Sequence, residues 1–205
     1  MASTAYKRFM DSMVIGFDQW HDGSGYDLEA LEDMTPEERD SVEMMLRSRS
    51  TDDWRAVEAL AAIGTPRAMD TVRANLTARD PIARLEALRK LHAQGEIKDL
   101  TPYLATLMEK EADDPSVFTQ TLAMIGWHKV VGTTPQLMRR CLRGNGLQSC
   151  HCAAMLFYLH GVSKSAFDWD HRPFFLRFNG QGPGEREAVF AELCQRTGLD
   201  PSLAG

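Results

Sequence analysis

Four stretches of the chain repeat the same spacing of apolar residues. They are residues 57–63, 85–91, 119–125 and 153–159, which align without a gap at intervals of 28, 34 and 34 residues. The fourth and seventh positions of each stretch are leucine or isoleucine: Leu60, Leu88, Leu122 and Leu156, then Ile63, Leu91, Ile125 and Leu159. Each interval has room for two short helices and their turns. The pattern therefore predicts paired helices that stack, because one pair cannot bury its apolar face alone.

A second regularity is a proline preceded by threonine or aspartate where a helix is expected to begin. The Thr or Asp side chain can cap the first N–H groups, and proline suits the first helical position. Five helix starts are predicted in this way: Thr35-Pro36, Thr65-Pro66, Asp80-Pro81, Asp114-Pro115 and Thr134-Pro135. Glu38, three residues after Thr35, also predicts a capping box.

Both ends of the chain depart from this repeat. Residues 5–20 predict a helix with a broad apolar stripe, and a glycine-containing turn follows it. After the last repeat come an aromatic-rich segment, 166–179, and an amphipathic helix, 185–197. Because the end faces of a helical array need a cover, these segments are interpreted as caps.

The first repeat unit has the residues of a known repeat type. Asp53-Trp54-Arg55, Glu58-Ala59-Leu60, Ile63-Gly64-Thr65-Pro66 and Ala68 resemble the HEAT-like repeat of the phycobilisome-lyase type, and residues 84–88 match it again. Residues 122–126 match its helix end but lack the arginine. The resemblance covers residues 50–160 and implies a superhelical stack in which Arg55 and Arg84 pair with aspartates of neighbouring units. It does not imply lyase activity, because most proteins with such repeats are scaffolds or binding modules.

The predicted fold is all-α: a short right-handed HEAT-like α-solenoid of stacked antiparallel helix pairs with atypical terminal helices. We expect one domain, 1–205, with acidic N-terminal helices in 1–50, repeats in 51–161 and an aromatic-rich cap in 162–205. The opening WHDGSGYDLEAL…TPEER and the ending HRPFFLRFN are also similar, more loosely, to bacterial HEAT-repeat proteins that accompany secreted toxins as immunity partners.

Charge is distributed unevenly along the chain. Residues 1–60 hold 14 acidic and 6 basic side chains, and residues 18–43 hold ten acids against Arg39 alone. Such asymmetry argues against nucleic-acid binding at this end and favours a basic partner, while a solvated helix face is the simpler alternative. A small cluster of Arg139, Arg140 and Arg143 could contact an anion locally.

Other features limit the classes of protein to consider. No apolar run approaches the roughly 20 residues that span a bilayer, and the N-terminus lacks a secretory signal, so we expect a cytoplasmic protein without a membrane partner. The four cysteines are expected to be free thiols. Cys150 and Cys152 on one helix would point about 200° apart, which is poor chelate geometry, so no metal or other cofactor is expected.

The first candidate site is the segment around Trp20, His21, Asp22, Tyr26 and Asp27. An aromatic residue, a histidine and carboxylates beside two glycines are typical of a catalytic loop, but also of a polar connection between helices. As a contact surface the segment is more attractive, because Trp and Tyr beside carboxylates are typical of binding hot spots. Glu29 and Asp33 would extend the same acidic edge.

The second candidate site is near the C-terminus, at Trp169, His171 and Arg172. Asp168 or Asp170 could orient His171 for proton transfer. Alternatively, the aromatic side chains cap the core while the polar ends reach solvent. A third pair, Trp127 and His128, follows a predicted helix end. The two side chains are interpreted either as a surface contact or as part of the packing, and the sequence favours neither.

Together these observations predict a non-enzymatic protein-binding module with one basic partner, such as the domain of a bacterial toxin that it neutralises. The alternative is a HEAT-like enzyme or ligand-handling protein, similar to a DNA glycosylase or a bilin lyase. A glycosylase needs a basic stripe for phosphates, which this acidic chain lacks. Self-association is left open.

Overall fold

The computed structural model describes residues 2–14, 16, 23–179 and 183–205, and all regular elements in these ranges are helical. The α-helices are α1 (Thr4–Ser12), α2 (Glu29–Glu32), α3 (Pro36–Arg47), α4 (Trp54–Ile63), α5 (Pro66–Ala74), α6 (Pro81–Ala93), α7 (Thr101–Lys110), α8 (Pro115–His128), α9 (Thr134–Arg143), α10 (Gly146–Leu159), α11 (Arg172–Leu176) and α12 (Pro183–Thr197). Short 3₁₀ turns span Asn75–Thr77, Val131–Thr133, Trp169–His171 and Pro201–Ala204.

The all-α prediction is confirmed for the described residues. The helix predicted over 5–20 is shorter, since α1 ends at Ser12, and residues 15 and 17–20 lie outside the described ranges.

The chain divides into two compact units, residues 1–98 and 99–205. The first contains α1–α6 and the second α7–α12. The division falls inside the segment 51–161 that the sequence assigns to repeats. Each unit is described by itself below.

Capping side chains start most of the helices at the predicted residues. The Thr35 hydroxyl accepts a hydrogen bond from the Glu38 N–H, and the reciprocal bond completes the predicted capping box. Thr65, Asp80 and Asp114 also accept from N–H groups of the following first turn. Thr134 is the exception, because it lies inside α9 and its hydroxyl bonds the Val131 carbonyl and His160 Nε2 instead.

In the first unit, helices pack against the next helix and the second-next helix. α4 contacts α3, α5 and α6, and α3 also contacts α5. Their apolar faces form one core with side chains from α1 and α2. Its large, fully buried members include Phe9, Leu46 and Leu60. Hydrophobic burial is worth about 1.5–3 kcal/mol for each such side chain, so this packing is the main source of stability in the unit.

The second unit uses the same kind of packing. α7 contacts α8 and α9, and α10 contacts α8, α9, α11 and α12. Leu156 is fully buried, but Leu122, which aligns with it in the sequence, is only half-buried. The buried stripe of α8 is formed instead by Val117, Thr121 and Ile125, which recur every four residues, so that Leu122 lies at the edge of the stripe.

Arginine side chains satisfy backbone carbonyls near several helix ends. Arg39 donates to the last carbonyls of α2, and Arg186 donates to Leu142 O and Gly144 O at the end of α9. Arg84 donates to Ala78 O at 2.7 Å and Arg55 donates to Ser24 O at 2.8 Å. Both arginines therefore have a structural role through carbonyls, and Arg55 also lies 4.0 Å from the carboxylate of Asp53. Such bonds satisfy carbonyls that have no partner inside the helix or turn.

The N-terminal caps give a direct test of the fold. Asp80→Ala and Asp114→Ala should each lower the free energy of unfolding by about 1 kcal/mol, because each change leaves first-turn N–H groups without their acceptor. Urea denaturation followed by circular dichroism measures this loss. Glu187→Ala, a change at an exposed residue on α12, is the control, and cap variants as stable as this control would contradict the assigned helix starts.

Candidate functional site

An acidic surface covers the outer side of α2 and α3. Helical spacing on α3 turns Val42 and Leu46 into the core and leaves the opposite side in solvent. Met44, on that outer side, is 74% exposed. We define the acidic face as five exposed carboxylates: Glu29, Glu32, Asp33, Glu37 and Asp40. The predicted positions Glu29 and Asp33 therefore lie on the surface, where a partner could reach them.

A hollow of about 370 Å³ adjoins this face, between the start of α1 and α3. It is lined by Ala2, Tyr6, Glu37, Glu38 and Ser41, and we call it the acidic groove. The Ser3 N–H and hydroxyl both donate to the Glu38 carboxylate at 2.7 Å. These bonds lower the pKa of Glu38 below its ordinary value, so the groove keeps a charged carboxylate. The Tyr6 ring beside the carboxylates of Glu37 and Glu38 suits a cationic side chain of a ligand.

The glycine-containing segment before the acidic face has an internal role in its described part. The Tyr26 ring is buried edge-on against Phe9 at 5.7 Å, and its hydroxyl donates to Asp53. Burial and the Asp53 carboxylate raise the pKa of Tyr26 above its ordinary value. Asp27 pairs with Arg8 at 2.8 Å and accepts a hydrogen bond from the Ala30 N–H in the first turn of α2.

Tyr26 is therefore a core residue and not the exposed contact that its neighbours in the sequence suggested. Its apolar ring gains from burial, and Asp53 satisfies its hydroxyl. Asp27 already has a cationic partner within the chain. The predicted contacts Trp20, His21 and Asp22 lie outside the described residues.

A second exposed surface, in the second unit, contains two tryptophans. Trp127 and Trp169 are each 72% exposed, which is high for so large an apolar side chain. The end of α8 lies near the segment before Trp169, because Gly126 approaches Ala166 and the Phe167 ring is 6.5 Å from that of Trp169. We define the tryptophan surface by five residues: Trp127, Lys129, Tyr158, Trp169 and Arg172.

Two cations lie over aromatic rings of this surface. Lys129 Nζ is 5.2 Å from the Tyr158 ring centre, and the Arg172 guanidinium carbon is 5.0 Å from that of Trp169. Lys129 has a φ of +49°, and no other non-glycine residue in the described ranges has a positive φ. Lys129 is the left-handed C-cap of α8, a position that glycine usually occupies, so an L-residue costs about 1 kcal/mol or more there. The predicted contacts Trp127, Trp169 and Arg172 are thus all exposed, and Arg172 lies over the Trp169 ring.

The aspartate–histidine pair that the sequence allowed does not form, because neither Asp168 nor Asp170 has a hydrogen bond to the His171 ring in the described part of the chain. Asp168 accepts the Asp170 N–H at 3.0 Å and so caps its own 3₁₀ turn. The His171 ring packs edge-on against Phe157 at a centroid distance of 5.3 Å. His128, the last residue of α8, is exposed beside Trp127. The packing of His171 on the core fits the capping interpretation of this segment.

The cysteines offer no activated nucleophile. All four are free, as predicted, and all are buried: Cys141, Cys150, Cys152 and Cys194. Burial raises the pKa of each thiol, to about 12 for Cys152, which disfavours the reactive thiolate. Among the residues that the structure describes, no cluster of three or more His, Cys, Asp or Glu side chains could hold a metal ion.

No protein-family model, curated protein or solved structure matches the chain. The described helices are too short or too polar to cross a membrane. The candidate site therefore rests on the two surfaces alone.

Sequence reasoning missed the acidic groove, because Glu38 is recognisable only as part of a capping box and its partner Ser3 is 35 residues away. It also missed the strain at Lys129, since nothing in the sequence distinguishes this residue from an ordinary helix end.

Because both tryptophans are exposed, replacing them should leave the stability of the protein nearly unchanged. The double variant Trp127→Ala, Trp169→Ala should change the free energy of unfolding by no more than about 0.5 kcal/mol per site, as expected for surface positions. Phe157→Ala, at a fully buried ring in the same unit, should cost about 3–5 kcal/mol. Chemical denaturation compares them, and a double variant as unstable as Phe157→Ala would show that the tryptophans are structural.

The Ser3 contact predicts how stability depends on pH. Because the folded-state pKa of Glu38 lies below its ordinary value of 4.5, its stabilising contribution is present above that value and is lost as the pH falls through the folded pKa. The stability difference between wild type and Glu38→Gln should therefore shrink as the pH falls from about 6 to about 3. Thermal unfolding across this range measures it. Glu37→Gln on the same turn, without the Ser3 bonds, should show no matching change.

Proposed function

We propose that this protein is a non-enzymatic binding module that holds one protein partner with a basic surface. The acidic groove is the observation that supports this role best. Its two carboxylates, Glu37 and Glu38, and the Tyr6 ring lie beside the other four acids of the acidic face. This arrangement suits a lysine or arginine side chain of a partner. The whole chain is acidic, with a formal net charge of −6.

The architecture that we propose for this role is a HEAT-like α-solenoid. Within the units, second-next helices contact each other, as in the pairs α3–α5, α4–α6, α7–α9 and α8–α10. Alternating helices that pack in this way form two layers, as helix pairs do in a stacked repeat array. The contacts agree with the repeated leucine spacing, and they support the resemblance to HEAT-like repeats of the phycobilisome-lyase type.

Two surfaces would contribute differently to binding. Exposed carboxylates accelerate the encounter with a basic partner, because complementary charge mainly raises association rates. The tryptophan surface would slow dissociation, since Trp and Tyr that become buried in an interface account for much of its binding energy. The first unit holds 18 acidic and 13 basic side chains and the second 11 and 10, so electrostatic attraction would come mostly from the first.

A specific form of this proposal is an immunity protein. A bacterium that makes a toxin with a basic domain needs a cytoplasmic protein that blocks it, and an acidic binding module suits that task. The looser similarity of the opening and ending segments to toxin-associated HEAT-repeat proteins supports this form. The product of an adjacent open reading frame is the first partner to test.

Charge reversal tests the acidic face directly. With the neighbouring gene product as partner, Glu29→Lys with Asp33→Lys should slow association by about tenfold or more at low salt, because the attraction is reversed. Glu185→Lys with Glu187→Lys makes the same change in net charge on α12 and is the control. Stopped-flow or surface-plasmon kinetics at two salt concentrations measure both. Equal slowing by the two double variants would contradict a specific acidic face.

A further inference from the structure

Three arginines lie in the last two turns of α9, in a chain that is otherwise acidic. Arg139, Arg140 and Arg143 line a hollow of about 150 Å³ together with Glu109 of α7. Residues four apart on a helix lie on the same side, about one turn apart. Arg139 and Arg143 therefore border the hollow as a pair of guanidinium groups.

Arg140 has an internal role in the second unit. Its Nε donates to Met108 O at 3.1 Å, and one terminal nitrogen pairs with Asp113 at 2.6 Å. It thus satisfies a carbonyl at the C-terminal end of α7, where the helix dipole is negative. This contact reduces a negative potential that would otherwise oppose an anion in the hollow.

The other two arginines keep most of their donors unused. Arg139 donates from Nε to Glu109 at 3.0 Å, while its two terminal nitrogens have no hydrogen bond to any described residue. The Arg143 side chain is exposed and has neither a hydrogen bond nor an ion pair within the described part of the chain. The three guanidinium groups are opposed by two carboxylates, Glu109 in the lining and Asp113 beside Arg140, so the hollow keeps a net positive charge.

We propose that this hollow binds a phosphate group through Arg139 and Arg143. Each guanidinium presents a planar fork that matches two oxygens of a phosphate, and a phosphate has enough oxygens to engage both forks at once. A carboxylate has only two oxygens and is matched by a single fork. On binding, the phosphate would compete with Glu109 for Arg139. The site is separate in chemistry from the acidic groove and does not depend on the proposed partner.

The phosphate could belong to a free compound or to a phosphorylated side chain, and two probes distinguish these sources. Inorganic pyrophosphate represents the first, and a short phosphoserine peptide, compared with its unphosphorylated form, represents the second. Isothermal titration calorimetry of the full chain measures both affinities. The probe that binds more tightly identifies the source, provided that its binding depends on the two arginines.

Substitutions decide whether the hollow is the site. Arg139→Gln with Arg143→Gln should weaken binding by at least about tenfold, as expected for lost charged hydrogen bonds. Glu109→Gln should strengthen it, because a competing and repelling carboxylate is removed. Lys164→Gln, at an exposed cation of the same unit, should leave affinity within about twofold of wild type.

The variants avoid Arg140, whose loss would disturb α7, and thermal unfolding checks that each remains folded. Two results would overturn the proposal. One is the absence of binding by either probe at millimolar concentration. The other is binding that the Arg139 and Arg143 substitutions leave unchanged or that Lys164→Gln weakens equally.

Discussion

The structure depends on the burial of one apolar face of each helix against the next and second-next helices. In the first unit α4 lies among α3, α5 and α6, and its Leu60 is fully buried. In the second unit α10 lies among α8, α9, α11 and α12, and its Leu156 is also fully buried. A short helix has little stability of its own, so tertiary contacts of this kind keep each helix formed.

Close packing of the helices also determines which groups remain available to a ligand. Helix ends inside each unit are satisfied by arginines, as Arg39 and Arg186 show, so these cations serve the fold. The groups without such a task lie on outer sides: the carboxylates of the acidic face, the two tryptophans and the paired Arg139 and Arg143. These surfaces differ in chemistry, which explains why the proposed protein partner and the proposed phosphate are assigned to different places.

Local signals in the sequence predicted the helices well, and long-range contacts account for what they missed. Asp80 and Asp114 act within their own first turns, so neighbouring residues suffice to recognise them. Tyr26 was expected on the surface, but its burial depends on Phe9 and Asp53, which are distant in the sequence. Leu122 aligns with buried leucines yet lies at the edge of its stripe, because a shared spacing does not fix the rotation of one helix against its neighbours.

The most direct test of the binding role is a nuclear magnetic resonance titration of the full chain with a short lysine-rich peptide. Shift changes should concentrate on the backbone amides of Tyr6, Glu37 and Ser41, and Glu37→Gln should reduce them. A matched glutamate-rich peptide should leave the same amides unchanged. Shifts spread evenly over all exposed acids, or centred on α12, would contradict a cation-binding groove.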